Sequence, residues 1–222
     1  MNSALIQLLV LAGVAIFLIL RLRNVLGTRE GFEKPPLSMP GKSGARDQAR
    51  KDFEVIEGGP DHDITDHVEA GSDAAEALTA MKRVDPAFNV KGFLEGARGA
   101  YEMILMAFEK GAIADIAPYL ADDVRESFAE VIAERERQGL RIDANFVGVR
   151  EVKLVDAKFD RATSEADVTV RFVGELTSVV RNADGEVVEG DPNEIKRQRD
   201  VWTFARVMGT DDPNWQLVAT GQ

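Results

Sequence analysis

Cysteine is missing from all 222 residues. Its absence removes disulfide frameworks, thiolate zinc sites, thiol nucleophiles and thiol redox relays together. Histidine, Trp and Tyr occur only twice each, so few conventional catalytic side chains are on offer. Positive charge is also scarce: 27 Lys and Arg stand against 38 Asp and Glu, for a formal net charge of −11. Phosphate backbones are bound through cations, so nucleic acid is not the expected partner. No G-x-S-x-G, P-loop, G-x-G-x-x-G or H-E-x-x-H occurs. What remains is a chain with 45% hydrophobic residues, enough for one folded unit with accessories.

The first accessory is a long apolar run. Residues 4–20, ALIQLLVLAGVAIFLIL, carry no charge and are interrupted only by Gln7. At ~1.5 Å per residue the run covers about 26 Å of a ~30 Å hydrocarbon core. Leu22, Val25 and Leu26 extend it, while Arg21 and Arg23 can snorkel to the headgroups. A cleaved secretory signal needs positive charge ahead of its apolar core and a small-residue exit after it. Here the order is reversed, with Arg21, Arg23, Arg29 and Lys34 following the run. The expectation is an uncleaved single-pass anchor over 1–26, with those four cations at the membrane interface and the lipid bilayer as a partner. The positive-inside rule places the N-terminus outside and everything after it in the cytoplasm.

From 27 to 71 the chain turns to Pro35, Pro36, Pro40, Gly58, Gly59 and Pro60 among charged and small residues, which reads as a flexible acidic tether. A short apolar knot, Phe53-Glu54-Val55-Ile56, interrupts it. Both histidines lie in Asp61-His62-Asp63-Ile64-Thr65-Asp66-His67. That spacing matches no zinc or calcium template, so no metal and no cofactor is expected there.

A compact domain is expected over 72–222. Ala74, Ala77, Leu78 and Met81 recur at helical spacing after Ser72 or Asp73 as cap, predicting a short amphipathic helix over 72–84. Asp85-Pro86 reads as the start of a long helix over 87–110, with Phe93, Leu94, Ala97, Ala100, Tyr101, Ile104, Leu105 and Phe108 on one stripe and Gly111 as its stop. A short helical piece at 113–120 contains Pro118. Asp122 or Asp123 then caps a helix over 124–138, with Val124, Phe128, Val131 and Ile132 inward and Glu130, Glu134, Arg135, Glu136 and Arg137 solvated. After Gly139 the period switches to two. Residues 144–159, 165–181, 195–208 and 215–220 read as strands, with turns at Asn182–Gly185 and Asp211–Asn214. Helices followed by closely spaced strands predict an α+β fold with helices on one face of an antiparallel sheet.

No carboxylate pair is set in an apolar run that forecasts a shifted pKa, and Asp115 reads as a helix cap, so no catalytic residue is assigned. A strongly curved sheet would leave an apolar hollow. Phe146, Val170, Phe172, Leu176, Trp202 and Phe204 are the candidates to line it, with Phe159 and Trp215 in the same aromatic group, against the simpler reading that they fill the core.

The order Asp85-Pro86-x-Phe88, Phe93-Leu94-Glu95-Gly96-Ala97, Tyr101-Glu102-Met103-Ile104, Ala107-Phe108, Gly111, Tyr119-Leu120, Val124, Phe128, Ile132, Glu134-Arg135 and Gly139 resembles the Tim-forty-four-like domain family. So does the ending Val201-Trp202-Thr203-Phe204-Ala205-Arg206 with Trp215-Gln216-Leu217. The anchor plus tether is similar to the alphaproteobacterial TimA proteins. The resemblance implies a nuclear-transport-factor-two-like cone of helices on a curved antiparallel sheet with an apolar pocket. It also implies a place at the bacterial inner membrane and no catalytic residues. The function expected is that of an inner-membrane-anchored tether, not an enzyme. Its cytoplasmic domain would capture an apolar segment of a membrane or nascent protein, a partner protein or a lipid tail, in protein translocation or membrane-protein assembly. Two other readings stay open: a cone-shaped small-molecule enzyme with an Asp or Tyr in its pocket, and a purely structural oligomer.

Overall fold

The computed structural model of the protein describes residues 61–221. The expected span at 4–20, the interface cations Arg21, Arg23, Arg29 and Lys34, and the tether up to residue 60 lie outside the described residues. Among the described residues no helix is long and apolar enough to cross a membrane.

In chain order the elements are α1 (His62–Thr65), α2 (Asp73–Val84), α3 (Val90–Lys110), a 3-10 segment (Ile113–Tyr119), α4 (Asp122–Arg137), β1 (Arg141–Asp160), β2 (Glu165–Arg181), β3 (Val187–Val207) and β4 (Gln216–Gly221). The strands form one sheet in the order β1-β2-β3-β4, each pair antiparallel. The domain is α+β, with helices ahead of a meander. On β2, Ala166, Val168, Val170, Phe172, Gly174 and Leu176 are buried and the residues alternating with them are only partly covered, the period-two pattern of a half-buried strand. Leu78 and Met81 of α2 and Phe93, Leu94, Ala97, Tyr101, Ile104 and Leu105 of α3 cover that face. Three bulges in β1, at Phe146/Gly148, Val149/Glu151 and Leu154/Asp156, bend this 20-residue strand.

Several helix boundaries differ from expectation. Asp85 does not open α3; it is the C-cap of α2, in the extended conformation imposed on a residue before proline. Asn89 caps α3 by accepting from the Gly92 amide at 2.7 Å, so the helix starts at Val90. Helix α4 is preceded by Ala121, whose amide is held by the Leu217 carbonyl at 2.9 Å, and Asp122 and Asp123 sit in its first turn. Asp115 makes no cap bond and lies within the 3-10 segment. Val131 is 48% exposed rather than inward. Arg135, expected in solvent, bonds the Phe108 carbonyl at 2.9 Å and lies 4.5 Å over the Phe108 ring, closing the C-terminus of α3.

Strand β3 begins at Val187, well before the expected 195. Its early part pairs Gly190 with Val179 and Asp191 with Ser178, and the register then jumps to Lys196 opposite Leu176. Pro192, which has no amide to give a ladder, falls in the excursion. Gly190 has φ 85°, and a Cβ there would collide with the Ser178 carbonyl oxygen, so a composition that reads as loop is instead a close strand contact.

Residues between 61 and 71 also pack on the domain, ahead of the expected start at 72. Ile64 is 2% exposed within the core. Asp63 accepts from the Val90 and Lys91 amides at 2.8 and 3.0 Å and pairs with Lys82 at 2.8 Å, so one carboxylate serves the N-terminus of α3 from outside that helix. Burial opposes ionisation of Asp63, yet the Lys82 ammonium and the two amides outweigh it and hold its carboxyl below the usual range. A folded-state pKa below the unfolded one gives stability that is present above the unfolded value and lost as pH falls through the folded value. Asp63→Asn is therefore expected to cost about 1 kcal/mol at neutral pH and less at pH 2 than at neutral pH, read from urea midpoints at the two pH values.

Candidate functional site

The six residues expected around a hollow sit in the sheet layer of the core, and the space between them is filled. Val170 and Phe172 are fully buried, Phe204 is 2% exposed, Leu176 and Trp202 are 4% exposed, and Phe146 is partly buried at the margin. Tyr101 of α3 enters among them. Its ring stacks on Phe172 with centroids 4.5 Å apart and planes 10° apart, and lies 4.8 Å from Trp202 and 6.3 Å from Phe146. Gly174 makes room for it, since a Cβ there would come 2.6 Å from Tyr101 Oη.

Tyr101 Oη donates to Asp200 Oδ2 at 2.6 Å, and Gln198 Nε2 donates to Oδ1 at 3.1 Å. Burial first, and the Asp200 carboxylate second, push the Tyr101 phenol far above its ordinary range, so it stays a donor. Asp200 is 5% exposed, the one buried charged residue among those described. The cavity beside it, lined by Ile104, Leu105, Phe108, Phe128 and Trp202 among others, holds about 130 Å³. Ligand pockets run to roughly 300–1,000 Å³, so this pair fastens α3 to β3 in a space too small for a substrate.

The accessible hollow lies on the other side of α3. A groove of about 510 Å³ runs between the first turns of α3, the 3-10 segment and the loop before β4. Its aromatic wall is Phe88, Phe93 and Trp215: Phe93 meets Trp215 edge-on at 4.7 Å, and Phe88 lies 5.9 Å from Trp215. Of the aromatic residues expected around a hollow, Trp215 and Phe204 reach this groove, Phe204 behind Phe93 at 6.2 Å. The floor is the α3 surface at Gly92, Gly96, Gly99, Ala100 and Met103, and Met103 is 39% exposed.

The groove walls come from sequence-distant segments that are tied together by polar bonds. Arg206 on β3 pairs with Asp85 in the α2–α3 turn at 2.8 Å, with side chains 11% and 13% exposed, and donates to the Asp212 carbonyl at 3.0 Å. This links the turn carrying Phe88 to the loop carrying Trp215. On the far side Gln216 donates to the Pro118 carbonyl at 3.2 Å, and Leu120 bridges Leu217. Glu95 and Tyr119 are the other titratable residues on the groove. With Arg206 committed to Asp85, the arrangement suits burial of an apolar group.

The sequence places Phe93 in the core stripe of α3, where it is buried, and Trp215 among the aromatic residues of a hollow, but it gives no part in the pocket to Phe88 or the glycines. The available signal was Gly92, Gly96 and Gly99 in one helix. A helical glycine costs about 1 kcal/mol relative to alanine. At Gly96 and Gly99 an added Cβ would meet nothing within 4 Å, so internal packing does not require their absence. His62 is exposed 3.9 Å from Asp66, and among the described residues no group of three or more His, Cys, Asp or Glu side chains is placed to hold a metal ion.

Comparison with known proteins bears on the whole domain. Human mitochondrial import inner membrane translocase subunit TIM44 is 29% identical over 150 residues, 66% of this chain and 33% of the relative. The rat protein of the same name is 27% identical over the same shares. The probable subunit tin-44 of Caenorhabditis elegans is 22% identical over 151 residues, 66% of this chain and 35% of the relative. The chain thus spans about a third of the length of these curated relatives. Among solved structures, the intermembrane space region of chloroplast protein ARC6 aligns with a TM-score of 0.35 and 12% identity over 65% of this chain and 94% of that one, too remote to carry an argument. The family model of the Tim44-like domain matches residues 74–222, from α2 to the C-terminus and so including both walls of the groove. On that match the chain belongs to the Tim44-like domain family.

Proposed function

We propose that the protein is a membrane-anchored tether whose domain captures an apolar polypeptide segment in the groove between α3 and β4, during protein translocation or membrane-protein assembly. The observation that carries this reading is the groove: three aromatic rings over a glycine floor, with its cation committed to an internal ion pair. Aromatic and glycine surfaces together admit a close-packed apolar chain at little loss of side-chain entropy. The relatives named as inner membrane translocase subunits support a role beside a membrane. The apolar run at 4–20 supplies the anchor, and residues 27–60 supply the reach, about 30–35 Å r.m.s. for a flexible chain of that length. Held so close to its targets, the domain needs only weak contacts.

The glycine floor gives a test that separates binding from folding. Gly96→Leu places an isobutyl group in open space on the groove floor. It is expected to leave the domain as stable as before or up to about 1 kcal/mol more stable, because glycine is replaced within a helix. The same change is expected to abolish photocrosslinks to polypeptide from a probe placed at Met103 of the full chain in its membrane. Crosslinks of undiminished yield in Gly96→Leu, or crosslinks only to soluble metabolites, would defeat the proposal.

A further inference from the structure

In a chain of net charge −11 the centre of the outer sheet face is basic. This is the face turned away from α2 and α3, where the residues alternating with the buried ones on β2 project. Register places Lys153 of β1, Arg171 of β2 and Val201 of β3 in one row, then Glu151, Val173 and Arg199 in the next. Beyond them, Glu175 takes Arg150 from β1 and Arg197 from β3 on a single oxygen, at 3.0 and 2.9 Å, while Glu151 takes Arg171 at 2.6 Å. Lys153 and Arg199 are exposed and pair with no carboxylate among the described residues. Five cations therefore surround two carboxylates, each of which is already engaged.

Like charges on neighbouring strands repel, so this grouping costs stability unless something neutralises it. The apolar residues on the same face have a direction. Val201 on β3 and Val173 on β2 step diagonally toward the first bulge of β1, where Val147, the residue without a register partner, is 49% exposed. Lys153, Arg171 and Arg150 lie on one side of the diagonal, and Arg197 and Arg199 on the other. An aliphatic line with cations on both flanks is the complement of a helix with an apolar stripe between two rows of carboxylates. A helix laid on a sheet face is also the usual way such a face is covered.

We infer that the outer face docks an acidic amphipathic helix from a partner protein, its apolar stripe on Val201, Val173 and Val147 and its carboxylates reaching the flanking Arg and Lys. Charge decides between this partner and an anionic bilayer. A bilayer surface extends past the whole domain and meets its acidic surroundings as well as the patch. A single helix, about 10 Å across, senses charges within a Debye length of about 8 Å and meets the patch alone. The inference is independent of the groove, which lies beyond α3 on the opposite side of the sheet.

The test uses the full chain in phosphatidylcholine nanodiscs and a fluorescent helical peptide carrying a Leu stripe flanked by Glu. A second peptide keeps the stripe and replaces every Glu with Lys. Lys153→Glu with Arg199→Glu reverses the two cations that hold no ion pair, and circular dichroism confirms that this variant is folded. The Glu peptide is expected to bind, the Lys peptide not to bind, and the double variant to weaken Glu-peptide binding at least tenfold. No binding of the Glu peptide, equal binding by the double variant, or equal binding of both peptides overturns the inference. So does flotation with phosphatidylglycerol vesicles that the wild type shows and the double variant lacks.

Discussion

Replacing Tyr101 with alanine is expected to lower the stability of the domain by about 4–5 kcal/mol, and replacing it with phenylalanine by about 2–3 kcal/mol. The alanine variant loses a fully buried ring stacked on Phe172 and opens a cavity at the meeting point of α3, β2 and β3. The phenylalanine variant keeps the ring and removes only the hydroxyl, leaving Asp200 Oδ2 without its donor in a site 5% exposed. Leaving one partner of a buried polar pair unsatisfied costs more than the bond itself contributes. Urea unfolding followed by tryptophan fluorescence measures both, since Trp202 lies 4.8 Å from the Tyr101 ring. For a domain whose whole margin is about 5–15 kcal/mol, the alanine variant approaches loss of the fold. A phenylalanine variant indistinguishable from wild type would show that the bond to Asp200 carries no weight.

Arg206→Ala is expected to cost about 2–4 kcal/mol and to abolish polypeptide crosslinks from Met103 as well. Its guanidinium is nearly enclosed with Asp85, so removal strands a carboxylate rather than merely deleting a surface pair. It also frees the Asp212 carbonyl and with it the loop that presents Trp215. Arg206→Lys retains a cation but not a planar fork that serves Asp85 and the Asp212 carbonyl together, and should fall between the two. The double variant Asp85→Ala with Arg206→Ala should lose less than the sum of the single losses, because each single change strands the other's charge. Additive losses in that cycle would show that the two side chains act independently.

The two α3 faces explain why one half of the site was readable and the other was not. The buried stripe Phe93, Leu94, Ala97, Tyr101, Ile104 and Leu105 has helical period and could be read from spacing alone. The opposite surface, Gly92, Gly96, Gly99, Ala100 and Met103, has the same period but no strong hydropathy signal, and it becomes a groove only because Trp215, more than a hundred residues later, stands over it. Likewise Phe146, Val170, Phe172, Leu176, Trp202 and Phe204 were legible as a set of inward side chains. Whether they enclosed space depended on Tyr101, whose entry depends on Gly174 of β2 on the same sheet face.

Local errors had the same origin. Asp85-Pro86 carries a strong helix-start pattern, and it was overridden because Arg206 claims the Asp85 carboxylate while Asn89 caps the helix. Val187 to Glu194 reads as loop by composition, yet pairing with β2 makes much of it strand. Arg135 reads as solvated, and the carbonyls ending α3 drew it in.

By itself the sequence determined the class of the domain, the order of its elements, the alternation that buries one face of β2, and the family pattern from Asp85 to Leu217. These depend on contacts of each residue with near neighbours and with water, which a period of 3.6 or 2 records. Only the tertiary structure decided that Tyr101 closes the expected hollow, that the open groove lies beyond α3, and that five cations meet on the outer sheet face. Each of those depends on which distant strands and helices lie side by side, and the free energy of such juxtapositions leaves no periodic trace along the chain.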